Sequence, residues 1–289
     1  MSGAERSSNL RARLNAGESI VMPGVWDALS ARLVHQAGFS TAFVSGFAVS
    51  GTLLGKPDVG YLTQVEMGAV AQRVCDAAPL LNAVVDADTG YGDDEVVAQT
   101  TALWEEANAA AMFLEDQVWP KRCGHMDGKE VVEPAEWLHK LQIVLRERDD
   151  LFLTARTDAR AVNGLHDAIE RAKMARDIGV DAVFVEAPQS VEEMQQIADA
   201  LPDVVLVANM VEKGKTPLLT PSELAELGFR MIVSPLSGLL AVSKALGEAY
   251  GVLQEHGSMR DHQHLLTPFN DFTDIVGLPK YLADDIASR

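Results

Sequence analysis

Residues 80–114 read LLNAVVDADTGYGDDEVVAQTTALWEEANAAAMFL. Leu80 to Val85 is an apolar run broken only by Asn82, Asp94 to Asn108 carries helical spacing, and Met112 to Leu114 is apolar again. A run that is apolar without alternation fits a strand buried on both faces, and a strand–helix–strand order fits parallel pairing. The first run ends in Asp86-Ala-Asp-Thr-Gly-Tyr-Gly92, so its polar residues gather where the strand stops.

The same alternation spans the chain. Further strand-like runs stand at Ser19 to Met22, Ala42 to Val44, Leu151 to Ala155, Ala182 to Val185, Val204 to Ala208 and Met231 to Val233. Helical spacing fills Trp26 to Ala37, Pro134 to Arg146, Leu165 to Ile178, Val191 to Leu201 and Pro221 to Leu227. Gly38, Gly179 and Gly228 each follow a helical stretch and precede a strand, the usual place for a helix-ending glycine. Eight strand candidates alternating with helices in 289 residues predict an α/β fold, a (β/α)8 TIM barrel. A doubly wound sheet would want a Gly-rich dinucleotide turn after an early strand, and Ser45-Gly46-Phe47-Ala48 is not one. A helix over Ser237 to Leu253 follows the last strand, then a tail from His256 to Arg289 with Phe269, Phe272, Ile275, Leu278, Tyr281 and Leu282. This tail is too long for one barrel helix and is expected to dock, a neighbouring subunit being a reasonable place. No Pro-, Gly- or Ser-rich linker divides the chain, so residues 1–289 read as one barrel domain with 256–289 as a docking tail.

Lys and Arg total 24 against 42 Asp and Glu, a formal charge of −18. That excess excludes a nucleic-acid surface, which needs clustered cations. It suits an anionic substrate only if positive charge is brought into the site. Two cysteines imply no disulfide framework. The N-terminus is polar and no stretch approaches the ~20 apolar residues of a membrane span. A cytoplasmic protein with no membrane association is expected.

In a barrel the reactive groups stand at the C-terminal ends of the strands. Six strand ends here finish in groups able to bind a ligand: Ser45-Gly46, Asp86 with Asp88, Glu115-Asp116-Gln117, Arg156-Thr157-Asp158, Glu186 and Asn209. Polar loops explain any one of these, but carboxylates, Arg and Asn recurring together point to a site. Asp86 and Asp88 lie two apart, so in extended chain they face the same way and repel unless a cation separates them. A hard divalent ion such as Mg2+, with Glu115 holding a metal-bound water, resolves this. Lys121, Arg122, Cys123 and His125 then crowd around Gly124, with Gly128 close behind. The glycines allow a mobile loop, and neighbouring cations favour the Cys123 thiolate. This reads as a lid supplying a proton donor and anion contacts. A zinc site lacks a second Cys or His at ligand spacing. Cys75 reads as core filler, and His35, His139 and His166 as surface or packing residues without partners.

Lys121-Arg-Cys-Gly-His125 resembles the loop signature of the isocitrate lyase/phosphoenolpyruvate mutase superfamily. The resemblance runs over nearly the whole chain: Pro23 to Ser30, Val44-Ser-Gly46, Leu54-Gly-Lys-Pro-Asp58, Asp86 to Gly92, Ala155-Arg-Thr-Asp-Ala159, Phe184-Val-Glu-Ala187, Ala208 to Glu212 and Pro235-Leu-Ser237. It implies a barrel whose eighth helix is swapped between partners, in a homotetramer built as a dimer of dimers. It implies Mg2+, with Mn2+ able to substitute, held directly or through water at Asp86, Asp88 and Glu115, with Asp58 nearby. Substrate contacts implied are Ser45, Gly46, Phe47, Asp58, Gly124, Asn209, Pro235 and Ser237. Catalytic roles fall to Cys123, Lys121, His125, Arg156 and Glu186, with Cys123 as the acid of the lyase branch. The mutase branch lacks this cysteine, so the resemblance favours carbon–carbon cleavage. Ser45 to Ser50, Leu54 to Asp58 and Glu115 to Met126 are most similar to the petal death protein and dimethylmalate lyase group. That group implies a 2-alkylmalate substrate, with oxaloacetate hydrolysis in some members. Phe47 and Phe43 depart from the methylisocitrate lyases, which share the Cys loop. Ala208 to Pro217 also resembles the carboxyphosphonoenolpyruvate mutases. The substrate expected is a small di- or tricarboxylate.

Overall fold

In the computed structural model, which describes residues 1–288, eight parallel strands close into a barrel in sequence order. They are β1 (Ile20–Val25), β2 (Thr41–Val44), β3 (Asn82–Asp86), β4 (Ala111–Glu115), β5 (Phe152–Thr157), β6 (Ala182–Val185), β7 (Val205–Asn209) and β8 (Phe229–Ser234). Helix α1 (Gly3–Asn15) precedes the barrel. Between strands lie α2 (Ala28–Gln36), α3 (Gly46–Val49), α4 (Gln64–Ala77), α5 (Asp94–Glu106), α6 (Pro134–Glu147), α7 (Ala159–Val162), α8 (Leu165–Asp177), α9 (Val191–Ala200) and α10 (Pro221–Leu227). Helices α11 (Ser237–His256), α12 (Phe269–Ile275) and α13 (Leu278–Ser288) follow β8.

Side chains alternate between two apolar layers. Phe43, Val84, Phe113, Phe152, Phe184, Val207 and Met231 pack inside the barrel. Their sequence neighbours Val44, Val85, Leu114, Leu153, Val183, Ala208 and Ile232 pack under the helices. Both faces of each strand are therefore buried, which is why the runs read as continuously apolar. Leu10 and Leu14 of α1 join the inner layer and plug the bottom of the barrel. Arg6 fixes that plug by donating to the carbonyls of Asn108, Cys75 and Pro79.

Several boundaries differ from expectation for local reasons. β1 runs on through Pro23 and Gly24, which pair beside β8 and β2. A Cβ on Gly24 would stand 1.9 Å from the Pro235 carbonyl oxygen, so glycine is required by a close backbone approach. Helix α2 starts at Ala28 because Asp27 caps it by accepting from the Ser30 amide. Helix α1 has too few apolar residues to show a clear stripe, whereas α4 buries Met67, Val70, Ala71, Val74 and Cys75 at helical spacing; the capping boxes Ser2–Glu5 and Thr63–Glu66 announce both. His139, expected to lack a partner, meets Asp94 at 2.8 Å on the surface. Cys75 is buried in the helix layer.

Helix α11 is 20 residues long and has no buried residue. Leu240, Val242, Leu246, Tyr250 and Leu253 are exposed along it, and Phe269 and Phe272 are exposed on α12. The tail returns to the barrel at α2, where Arg32 donates to the Ile275 carbonyl. No helix among the described residues is long and apolar enough to cross a membrane.

Candidate active site

The inner parity of each strand, carried one step past its apolar end, delivers the polar groups. Phe43 leads to Ser45, Val84 to Asp86, Phe113 to Glu115, Phe184 to Glu186 and Val207 to Asn209. On β5, Phe152 and Thr154 lead to Arg156. Phe43, Phe113 and Phe184 form the floor, with ring centroids 5.0 Å and 5.8 Å apart in successive pairs. Arg156 lies over the Phe184 ring at 5.6 Å. Above this floor lies a cavity. Ser45, Phe47, Asp58, Asp86, Cys123, Gly124, His125, Arg156, Glu186, Asn209 and Pro235 all face it, eleven of the residues expected from sequence.

The remaining expected residues are placed differently. Gly46 lies beneath Asp86 and gives its N–H to that carboxylate at 3.3 Å. Ser237 faces away, hydrogen-bonded to Glu212 and Ser234. Asp88, Glu115 and Lys121 are buried behind the cavity wall rather than on it. Lys121 was expected to reach the substrate anion. Its Nζ instead sits 2.6 Å from Asp58 Oδ1 and 2.7 Å from Asp88 Oδ1, because burial leaves those carboxylates no other cation at hand. Arg122 points outward and donates to the Asp127 carbonyl.

The carboxylates strain against one another. Burial pushes Asp88 up to about 7, Lys121 lowers it, and Asp86 and Asp58 raise it further. Burial also raises Glu115 well above the carboxylate range, Arg156 opposing. For Lys121, burial alone would lower the pKa, but Asp88, Asp58, Glu115 and Asp86 together hold it well above normal. Glu115 Oε1 is buried with no hydrogen-bond partner among the described residues. Uncompensated hard oxygens in an over-acidic cluster fit a divalent cation. Among the described residues, however, no three His, Cys, Asp or Glu side chains are gathered closely enough to hold an ion by themselves. Mg2+ fits such a set through water, since it takes one or two carboxylates and keeps several waters.

Arg156 is held by three carboxylates, with Nη1 3.0 Å from Glu115 Oε2, Nε 3.0 Å from Asp158 Oδ2 and Nη2 3.6 Å from Glu186 Oε2. Asp158, read from the sequence only as part of a strand end, and Lys129, which the sequence did not single out, belong to the same buried network. Burial alone would raise Asp158, but Arg156 and Lys129 outweigh it and hold its pKa at about 2. Lys129 Nζ meets Asp158 Oδ1 at 2.8 Å and also donates to the Gly124 carbonyl, so one buried cation ties the loop to the barrel. The aromatic floor and the apolar wall residues Val211, Val233 and Leu236 were also missed. Inner-face parity would have found the floor, while Leu236 lies in a loop without periodicity.

The loop from Gln117 to Val131 folds down over the cavity. Gln117 brackets Arg122 by accepting from its N–H and donating to its carbonyl, at 2.9 Å and 2.8 Å. The Cys123 N–H donates to the Asp58 carbonyl at 3.2 Å. Gly124 serves close approach as well as mobility: a Cβ there would lie 2.6 Å from Glu186 Cγ and 2.7 Å from Arg156 Nη2. The expectation of a favoured Cys123 thiolate is corrected. Burial, followed by the Asp58 charge, pushes the thiol up to about 11, and Lys121 offsets this only in part. At neutral pH a shift in this direction favours the S–H form over the thiolate.

This barrel and its strand-end site define the superfamily. Residues 10–252 match the family described as Phosphoenolpyruvate phosphomutase, and the chain belongs to that family, within the PEP mutase/isocitrate lyase superfamily. It is 46% identical over 270 residues to the Carboxyvinyl-carboxyphosphonate phosphorylmutase, chloroplastic, of Arabidopsis thaliana, covering 91% of this chain and 78% of that protein. It is 43% identical over 280 residues to the Petal death protein of Dianthus caryophyllus, covering 96% of this chain and 87% of that one. A crystal structure of 2,3-dimethylmalate lyase superposes with a TM-score of 0.93 at 34% identity, covering 98% of this chain and 95% of that one. The chain is an enzyme of this lyase and mutase superfamily.

Proposed function

We propose that the chain is a Mg2+-dependent carbon–carbon lyase that cleaves a 2-hydroxy dicarboxylate of the 2-alkylmalate type, with oxaloacetate hydrolysis as a related activity. The observation that carries this reading is the placement of Cys123 on the lid, lining one cavity with Arg156, Glu186 and Asn209. An acid that must protonate a carbanion has to be held as S–H at neutral pH, and burial does that here. Similarity to 2,3-dimethylmalate lyase supports the substrate class.

Asp86, Asp88 and Glu115 would hold Mg2+, or Mn2+ in its place, which when bound supplies a Lewis acid to the substrate's C1 carboxylate and C2 hydroxyl. Arg156, a permanent cation on the cavity wall, binds the distal carboxylate and stabilises the charge that develops on it when C2–C3 breaks. Asn209 Oδ1, buried with no partner among the described residues, is free to accept from a substrate hydroxyl. Glu186 is the candidate to take the C2 hydroxyl proton, as a carboxylate on the wall that accepts from Asn209 Nδ2 at 3.2 Å. Cleavage leaves an α-keto acid and an enolate-like carboxylate, and Cys123 delivers its proton to the carbanion carbon. Phe47, Val211 and Leu236 offer an apolar surface for the substrate's alkyl group. The exposed apolar face of α11 supports a helix-swapped dimer, paired into a homotetramer.

Similarity to the Arabidopsis phosphorylmutase favours a second reading, a carboxyphosphonoenolpyruvate or phosphoenolpyruvate phosphonomutase. A 2-methylisocitrate lyase is a third reading, because relatives bear that name. One panel separates them: 2-alkylmalates, oxaloacetate, 2-methylisocitrate, isocitrate and phosphonopyruvate, each with Mg2+ and with phosphorus followed by NMR. Cys123→Ala should lower turnover of the preferred 2-alkylmalate by ~10²–10⁴ while an oxalate-like inhibitor still binds. Turnover within tenfold of the unaltered enzyme, or conversion of phosphonopyruvate alone, overturns the lyase reading.

A further inference from the structure

The loop between β7 and α10 touches the lid at three points, all around His125. The Lys215 N–H donates to His125 Nδ1 at 3.1 Å. The Lys215 ammonium meets Asp127, two residues further along the lid, at 2.6 Å. Gly214 lies against the imidazole, and a Cβ there would stand 2.8 Å from both Cε1 and Nδ1. On its other side the ring faces the cavity, with Nε2 3.4 Å from Glu186 Oε1.

These contacts decide where the imidazole carries its proton. A ring nitrogen that accepts an N–H bond bears no hydrogen. The amide of Lys215 therefore excludes both the imidazolium and the Nδ1–H tautomer while the lid is down, and Nε2 must hold the hydrogen. Asn209 Nδ2, 3.4 Å from Nε2, cannot donate to it and instead gives its hydrogens to Glu186. Burial lowers the His125 pKa, Glu186 and Asp158 oppose this, and Arg156 and Lys129 add to it, in keeping with a neutral ring.

We propose that Lys215 is a positioning residue: its main-chain N–H fixes His125 as the neutral Nε2–H tautomer, and its ammonium pins Asp127, so that the closed lid presents a hydrogen-bond donor to Glu186 and the substrate. This rests on the lid role assigned above, but its primary readout does not. His125 then serves as a neutral donor, not as a cation for the developing anion. The β7–α10 loop and the lid close as one jaw.

The test is ¹⁵N NMR of full-length protein labelled at histidine, with His125→Gln assigning the signal. Bare Nδ1 with protonated Nε2 is expected in the unaltered protein. Lys215→Pro, which removes the N–H, should give mixed tautomers and a roughly five- to tenfold lower kcat with KM little changed. Gly214→Ala should displace the same signal through steric contact, and it stands as the second variant if the proline substitution does not fold. Lys215→Ala keeps the N–H, so the His125 signal should stay as in the unaltered protein. Its KM should rise about threefold, a loss that Asp127→Ala reproduces, the double variant does not deepen and Lys215→Arg restores. A protonated Nδ1 in the unaltered protein, or an unchanged His125 signal in both Lys215→Pro and Gly214→Ala, overturns the proposal. The NMR result reads the same whichever substrate the enzyme turns over, so failure here is distinct from failure of the lyase reading.

Discussion

Replacing Gly124 by alanine should separate lid closure from folding. The added Cβ would lie 2.6 Å from Glu186 Cγ, 2.7 Å from Glu186 Cδ and 2.7 Å from Arg156 Nη2. Neither partner can yield cheaply. Arg156 is held by Glu115, Asp158 and Glu186 together, and Glu186 accepts from Asn209. Overpacking of this kind costs ~1–3 kcal/mol. The cost falls on the closed lid alone, because the loop relieves the clash by lifting. At about 1.4 kcal/mol per tenfold, closed molecules become roughly 5- to 150-fold rarer. kcat/KM for the preferred substrate should fall by that factor, while the thermal midpoint should move by less than about 2 °C. Tryptic cleavage after Lys121, now only 2% exposed, should accelerate in parallel. Activity within twofold of the unaltered enzyme together with unchanged proteolysis would refute the close approach as a requirement for closure.

Gly24→Ala should instead damage the barrel, since its Cβ would collide with the Pro235 backbone at 1.9 Å. A loss of about 3 kcal/mol or more in chemical denaturation is expected, and a loss under about 1 kcal/mol would contradict it. Asp181 accepts from Arg11, Arg148 and the Leu153 N–H, and these outweigh burial to hold its pKa below normal. A depressed carboxylate stabilises the fold above its unfolded pKa and loses that contribution as pH falls through the folded one. Asp181→Asn should therefore be less stable by about 2 kcal/mol at pH 7. The gap should narrow as pH drops below about 4, and a gap independent of pH would be inconsistent with an ionic origin. Mg2+ at a hundred times its dissociation constant should stabilise the protein by about 2.7 kcal/mol in thermal shift, and EDTA should reverse this. Asp88→Asn should abolish the Mg2+ shift, and a shift that persists in that variant would remove Asp88 from the metal site.

Much of the site was legible because a barrel strand has a two-residue period and both faces buried. Val84 inside forces Asp86 inside, and Phe113 does the same for Glu115, so strand ends alone brought Ser45, Asp86, Arg156, Glu186 and Asn209 to one cavity. Lys129 and Asp158 were not legible as a pair, because 29 residues separate a lid lysine from the strand end it grips. Ser237 stands at the right strand end, yet its hydroxyl turns to Glu212, a choice made by a neighbouring loop.

The sequence by itself determined the eight-unit alternation, the parity that aims each strand end, and the residue types that meet there, since these follow from local periodicity. Protonation and contact at the site were decided only in three dimensions. Two cations beside Cys123 in sequence imply a thiolate, but one of them, Lys121, is engaged by Asp58 and Asp88 and the other, Arg122, points outward. Burial then governs, and it raises the thiol pKa where the neighbouring cations alone would lower it. Charge acts through distance and solvent exposure, and neither can be read along the chain.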